Sequence, residues 1–174
     1  MGKPFTKPCK YFSIKYIAVL GAISDKRGFI QAHTMYDGAF KGEHVRKFVE
    51  ELQEDAKDPF VVFMDNARIH VSKENLQWYR ANDIPIIRNI PYRPDLMGIE
   101  LLWKDMKEEY RRFALLELAH GRVWDQTKKL KEMLHGLDQR RVKGHARLGL
   151  AKLMKAEPVD PELMQQQLKD DPEP

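Results

Sequence analysis

The sequence predicts an α/β layer fold with a mixed sheet and flanking helices. Apolar, β-branched runs of strand length alternate with longer segments whose apolar residues recur every three or four positions. Gly, Pro and Asp residues that favour turns separate these segments. The resulting order is strand, strand, helix, strand, helix, strand, helix, helix, with no internal repeat.

The first two strands are expected to form a hairpin. Residues 11–24, "YFSIKYIAVLGAIS", are β-branched and aromatic, as strands are. "DKRG" follows as a turn signal, with Gly28 suited to a positive φ angle. "FIQAHTMY" then predicts the second strand of the hairpin.

A helix, a strand, a helix and a strand are predicted next. The helix starts near Gly42, and "DP" at 58–59 interrupts the chain after it. "FVVFM" is continuously apolar, which is typical of a strand covered on both faces. Ser72 is expected to cap the helix through "KENLQWYRAND", and "IPIIRNI" predicts a further strand. The apolar face of the first helix consists of Val45, Phe48, Val49 and Leu52.

Two more helices follow the Pro- and Gly-rich loop "PYRPDLMG". The first has one long apolar face, and the second, "VWDQTKKLKEMLHGL", has an apolar stripe. The first face comprises Ile99, Leu102, Trp103, Met106, Tyr110 and Phe113, and the stripe comprises Val123, Leu130, Leu134 and Leu137.

Composition indicates one globular domain with short extensions. The 174 residues are 43% hydrophobic and 32% charged, with a net charge of +4 that permits a phosphate-bearing partner. Cys9 is the only cysteine, which excludes a disulfide framework and a cysteine zinc site. No apolar run reaches the roughly 18 residues of a membrane-spanning helix, so we expect no membrane span.

We divide the chain at changes in its charge and pattern. We predict a basic N-terminal arm (1–10), the α/β domain (11–118), a C-terminal helical region (119–156) and an extended acidic tail (157–174). Residues 121–155 contain ten Lys and Arg but three acids, whereas the tail contains six acids and one Lys. The first 24 residues contain no acid, as in an organelle presequence, although Pro4 and Pro8 disfavour its amphipathic helix.

Two acids stand at the ends of predicted elements. Asp65 ends the apolar strand, and Glu100 opens the long helix, with the 34 residues from 66 to 99 between them. Both positions can lie at one rim of the sheet, where α/β proteins place ligands. Converging carboxylates would hold Mg²⁺, and two such ions about 4 Å apart can promote phosphoryl transfer.

The long helix also predicts a nucleic-acid surface. Glu100, Lys104, Lys107 and Arg111 share one helical face, so an acid framed by cations could place a metal beside a phosphate backbone. Simpler interpretations remain open. Asp65 could cap a turn, Glu100 could pair with Lys104, and the basic region could be a solvated surface.

The two motifs together resemble the DDE domain of mariner-like transposases and their bacterial insertion-sequence relatives. Residues "VVFMDNARIH" match a strand that ends in Asp-Asn-x-x-x-His, and "IPYRPDLMGIELLW" matches the second motif of that family. The resemblance covers roughly residues 11–137 and implies a ribonuclease-H-like fold with Mg²⁺-dependent DNA cleavage and joining. The matching residues are Asp65, Asn66, His70, Pro91, Tyr92, Pro94, Asp95, Leu96, Ile99, Glu100 and Trp103.

The resemblance implies specific roles and exposes specific gaps. Asp65 would be the second catalytic acid and Glu100 the third, and both would bind metal. The two acids could also be vestiges of an ancestral site that is no longer active. Candidate nucleic-acid contacts are Asn66, His70, Lys104, Lys107 and Arg111. The strand with the first acid and the N-terminal DNA-binding domains have no counterpart, and the family's Asn-Pro is here Met97-Gly98.

A missing central strand would leave two unpaired sheet edges in the interior. We expect residues 1–10, a strand from another chain or a rearranged sheet to fill the space. The chain alone is therefore expected not to be a competent transposase.

Three functions are compatible with the sequence. The first is a transposase-derived core with DNA as substrate and Mg²⁺ as cofactor, in the nucleus or cytoplasm. The second is a domesticated, non-catalytic accessory subunit of a larger assembly, for which mitochondria are the alternative compartment, with a partner chain that fills the sheet or holds the tail. The third is a nucleic-acid-binding module that uses the basic residues of 121–155.

Overall fold

A computed structural model describes residues 16–156 of the chain. It confirms the α/β class, with four strands and six α-helices in the described residues. The predicted N-terminal arm, the first residues of the 11–24 strand and the acidic tail lie outside them. No helix between residues 16 and 156 has the length and apolar character to cross a bilayer.

The predicted hairpin forms as expected. Strand β1 (Ile17–Ser24) pairs antiparallel with β2 (Gly28–Tyr36), with a bulge between Ala22 and Ile23. Gly28 has a φ of +88°, so it supplies the left-handed conformation that the turn needs. Apolar residues of the hairpin then contact both core clusters of the molecule.

The first core cluster lies between helices and a short parallel sheet. Ser72 caps helix α3 (Lys73–Ala81) as predicted, because its Oγ accepts a hydrogen bond from the Asn75 N–H at 3.2 Å. The buried members are Val45, Val49, Met64, Tyr79 and Ile84. The elements are α1 (Gly42–Asp55), β3 (Val62–Met64), α2 (Arg68–Val71), α3 (Lys73–Ala81) and β4 (Ile86–Arg88).

Strand β3 is shorter and less enclosed than its sequence suggests. It pairs in parallel with β4, and in the described part of the chain it has no second neighbour. Only Met64 of its three residues is buried, and Val61 before it is exposed. The expected mixed sheet is therefore divided, since no strand of residues 16–156 lies between the antiparallel pair and the parallel pair.

The second core cluster joins the three C-terminal helices to the hairpin. Its buried residues are Leu102, Met106, Met133, Leu134 and Val142. The helices are α4 (Gly98–Ala119), which follows a 3₁₀ turn at Pro94–Leu96, α5 (Gln126–His135) and α6 (Gln139–Lys155).

Helix α5 begins later than its apolar stripe predicts. Asp125 is its N-cap and accepts a hydrogen bond from the Lys128 N–H at 3.0 Å. Val123 therefore lies before the helix and is 78% exposed. The capping preference of aspartate outweighs the apolar periodicity here.

Helix α6 crosses the start of α4 at very short range. A Cβ atom added to Gly149 would lie 2.9 Å from Gly98 Cα, so the two backbones meet where neither residue has a side chain. The Asp105 carboxylate of α4 lies 2.7 Å from both His145 Nε2 and an Arg141 terminal nitrogen of α6. These contacts fix the end of α4 that carries Glu100.

The two glycines of α6 give a matched test of this crossing. Gly149→Ala should lower the free energy of unfolding by about 1–3 kcal/mol, because the added methyl overpacks the contact with α4. Gly144→Ala meets nothing within 4 Å, so improved helix propensity should raise stability by about 0.5–1 kcal/mol. Urea unfolding followed by circular dichroism measures both. Equal stability of the two variants would show that the crossing is looser than described.

Candidate functional site

Asp65 directly follows β3 and is held in one orientation. Its Oδ1 accepts a hydrogen bond from the Ala67 N–H at 2.9 Å and lies 2.6 Å from His70 Nδ1. The hydrogen bond with His70 lowers the pKa of Asp65 most, and the Ala67 N–H also lowers it, against the opposing effect of partial burial. The side chain is 45% exposed. Asp65 is thus an ionised, solvent-accessible carboxylate that also stabilises the turn before α2.

His70 contributes to the site by orienting Asp65. It lies in α2, its ring is largely buried, and the Tyr79 hydroxyl donates to its backbone carbonyl at 3.2 Å. Because both contacts to Asp65 fall on Oδ1, Oδ2 is left without a hydrogen bond inside residues 16–156. The sequence predicts His70 as a nucleic-acid contact, and that role remains a prediction.

Asn66 connects the two parallel strands at their carboxyl ends. Its Nδ2 donates to the Asn89 carbonyl at 2.7 Å, and its Oδ1 accepts from Arg88 Nε at 2.9 Å. The side chain that the sequence predicts as a nucleic-acid contact is therefore engaged within the protein.

Asn89 is a buried residue of the candidate site that sequence reasoning missed. It is 5% exposed, and its N–H donates to the Met64 carbonyl at 2.8 Å. Its Nδ2 donates to the Arg93 carbonyl at 2.8 Å, and its Oδ1 accepts from the Ile90 N–H at 2.9 Å. The available signal was an asparagine two residues after the apolar run "IPII", because asparagine readily bonds to nearby backbone groups.

Glu100 lies in the first turn of α4 and is exposed. It forms no ion pair with any residue of the described chain, so the alternative of a pair with Lys104 is not found there. The residues of the predicted basic face lie together in the structure and line one surface depression. The lining residues are Glu100, Lys104, Lys107, Glu108 and Arg111.

Hydrogen bonds link the segments that carry the two acids. Asn89 is bonded to Met64 and Asn66, the residues on either side of Asp65, and also to Arg93. Arg93 leads directly into the 3₁₀ turn and then α4. Residues 16–156 contain no group of three or more His, Cys, Asp or Glu side chains that could hold a metal ion. That Asp65 and Glu100 share one ion remains a prediction.

These features define an α/β protein with an open, ionised carboxylate at the carboxyl end of its parallel strands. The family model "DDE superfamily endonuclease" matches residues 7–118, which is more than half of the chain. The chain belongs to this family. A search of curated proteins finds no match.

The depressed pKa of Asp65 predicts a pH-dependent contribution to stability. A carboxylate whose folded pKa lies below its ordinary value of 3.8 stabilises the fold above that value. The contribution is lost as the pH falls through the folded pKa. Asp65→Asn should therefore be less stable than the wild type near pH 7, by no more than about 1 kcal/mol because solvent screens the exposed group.

Urea unfolding between pH 7 and pH 2, with a chelator present, measures this difference. Asp58→Asn is the control, because Asp58 forms no hydrogen bond or ion pair in the described chain. A difference between wild type and Asp65→Asn that stays constant across this range would contradict the assigned role of the Asp65–His70 contact.

Proposed function

We propose that the chain presents Asp65 and Glu100 as two carboxylates of a DDE-type site to a nucleic-acid backbone. The proposed ancestral chemistry is Mg²⁺-dependent DNA strand cleavage and transfer, as in mariner-like and bacterial insertion-sequence transposases. One observation carries the proposal: the open Asp65 carboxylate is tied through Asn66 and Asn89 to the segment that leads to Glu100. Membership of the DDE endonuclease family supports it.

The carboxylate oxygens of Asp65 and Glu100 are ligands of the type that a hard cation prefers. Asp65 has an Oδ2 without a hydrogen bond, and Glu100 forms no ion pair, within the described residues. A bound Mg²⁺ would supply charge stabilisation for phosphoryl transfer. Because residues 16–156 contain no group of three ligands, we propose that this pair alone binds metal weakly. A further carboxylate from outside the described residues, or from another chain, would complete the site.

The basic face of α4 supports the choice of a polyanionic substrate. Lys104, Lys107 and Arg111 line the same depression as Glu100. Cations in this arrangement can hold phosphates beside a metal-binding carboxylate, and the released counterions favour binding. The opposite face of α4 is buried in the second core cluster, so the basic face has a fixed direction.

A cleavage assay tests the catalytic part of the proposal. The 174-residue chain with Mg²⁺ and plasmid DNA should produce no nicked circle above background, because two carboxylates bind metal weakly. Asp65→Asn and Glu100→Gln are assayed in parallel. Mg²⁺-dependent nicking by the wild type that disappears in both variants would overturn the proposed incompetence and establish both acids as catalytic.

Salt titration of DNA binding tests the binding surface. Replacing Lys104, Lys107 and Arg111 together with Gln should reduce the slope of log K against log salt by about 3, since each phosphate contact contributes about 0.9. The matched control replaces three exposed cations of α6, which are Arg140, Arg147 and Lys155. A larger loss in the α6 variant would instead favour the nucleic-acid-binding module that uses residues 121–155.

A second candidate is a non-catalytic accessory subunit in a larger assembly. The observation that favours it is the divided sheet, since β3 and β1 each pair with only one strand in residues 16–156. An unpaired edge can accept a strand from another chain. Native purification with mass spectrometry separates the two functions. Stoichiometric protein companions without DNA-bound proteins would favour the subunit, whereas DNA-associated companions would favour a transposase-like role.

A further inference from the structure

Tyr92 has an unusual backbone for a large aromatic residue. Its φ is +58°, in the left-handed region that side chains disfavour. The Arg93 N–H donates to the Ile90 carbonyl at 3.2 Å, which closes a turn with Pro91 second and Tyr92 third. Turns of this kind with a positive φ at the third position favour glycine there. The sequence thus retains an aromatic ring where a smaller residue would fit the backbone better.

The ring of Tyr92 is also fully available. The residue is 87% exposed, and its ring has no aromatic or cationic partner in the described residues. An exposed aromatic on a strained backbone contributes little to the core. Strain of this kind persists where the surrounding structure enforces it, and such positions cluster at functional sites.

The surrounding structure does enforce the turn. The Asn89 side chain donates to the Arg93 carbonyl and accepts from the Ile90 N–H, so it spans the turn from inside. Arg93 forms two hydrogen bonds with the Asp95 carboxylate, at 2.8 and 3.0 Å. The ring therefore stands on a rigid base.

This base lies between the two candidate acids. Asn89 is bonded to Met64 and Asn66, which flank Asp65. After the turn, the chain continues through Pro94–Leu96 into the first turn of α4 and Glu100. The turn of Tyr92 is thus hydrogen-bonded to the segment that carries Asp65 and leads along the chain to the one that carries Glu100.

We propose that Tyr92 is a stacking platform for an unpaired DNA base next to the carboxylates, an inference that rests on the proposed function. Every base has a flat face, so one exposed ring can stack on it without reading the sequence. The basic face of α4 would hold the phosphate backbone while Tyr92 holds a base displaced from the helix. This division separates backbone binding from base positioning.

The test uses the full chain and duplex DNA that contains one unpaired 2-aminopurine, whose fluorescence falls when it stacks on an aromatic ring. Wild type and Tyr92→Phe should both quench the probe, because both present a ring. Tyr92→Gly and Tyr92→Ser should not quench it and should bind this duplex roughly 5- to 100-fold more weakly, from typical stacking energies. All proteins should bind the fully paired duplex equally.

The glycine variant keeps the test independent of folding. Glycine suits a positive φ, so Tyr92→Gly should have the wild-type melting temperature or a higher one. Tyr16→Ser is the matched control, because Tyr16 is also strongly exposed but lies directly before β1. It should quench the probe as the wild type does.

The outcomes separate this inference from the proposed function. If wild type and Tyr92→Gly bind and quench equally, the stacking role is overturned while nucleic-acid binding stands. If quenching is lost equally in Tyr16→Ser, the specific role of Tyr92 is also overturned. If the wild type binds neither duplex, the proposed nucleic-acid function fails, and the stacking role fails with it.

Discussion

The buried Asn89 side chain is the interaction on which the candidate site depends. Its side-chain Oδ1 and Nδ2 are hydrogen-bonded to the turn before α4, and its backbone N–H and carbonyl are hydrogen-bonded to Met64 and Asn66 at the end of β3. A buried amide with every group satisfied specifies one arrangement, because any other would leave polar groups unpaired. Asn89 thus ties the segment that carries Asp65 to the turn that leads into α4 and Glu100.

Helix α4 provides the second constraint, because one of its faces packs in the core while the other carries the candidate site. Leu102 and Met106 are buried against α5 and α6, while Trp103 packs so closely on β1 that a Cβ at Gly21 would lie 2.8 Å from its ring. The opposite face carries Glu100 and the cations. Helices α5 and α6 lie beyond residues 7–118 of the family match, yet they supply Met133, Leu134 and Val142 to the core that orients this face. Stability of the site thus depends on a region outside the family motifs.

Local patterns allowed much of this architecture to be predicted. The hairpin with Gly28, the Ser72 cap and the buried face of α4 each follow from a few neighbouring residues. The start of α5 was predicted wrongly, because a cap at Asp125 competes with apolar spacing and periodicity alone cannot weigh the two. The Gly98–Gly149 crossing, the four bonds of Asn89 and the backbone of Tyr92 are long-range or conformational features. No single segment encodes them.

Three features of the candidate site do not contribute to the stability of the fold. Glu100 has no cationic partner in the described residues, although Lys104 is one helical turn away. Tyr92 holds a conformation that glycine would adopt more readily, and half of the Asp65 carboxylate remains open to solvent. Sequences generally agree with their fold at every level and depart from it at functional positions. These three departures lie on segments joined by Asn89, while the two core clusters obey the ordinary rules of packing. That concentration argues for a ligand at this edge of the molecule.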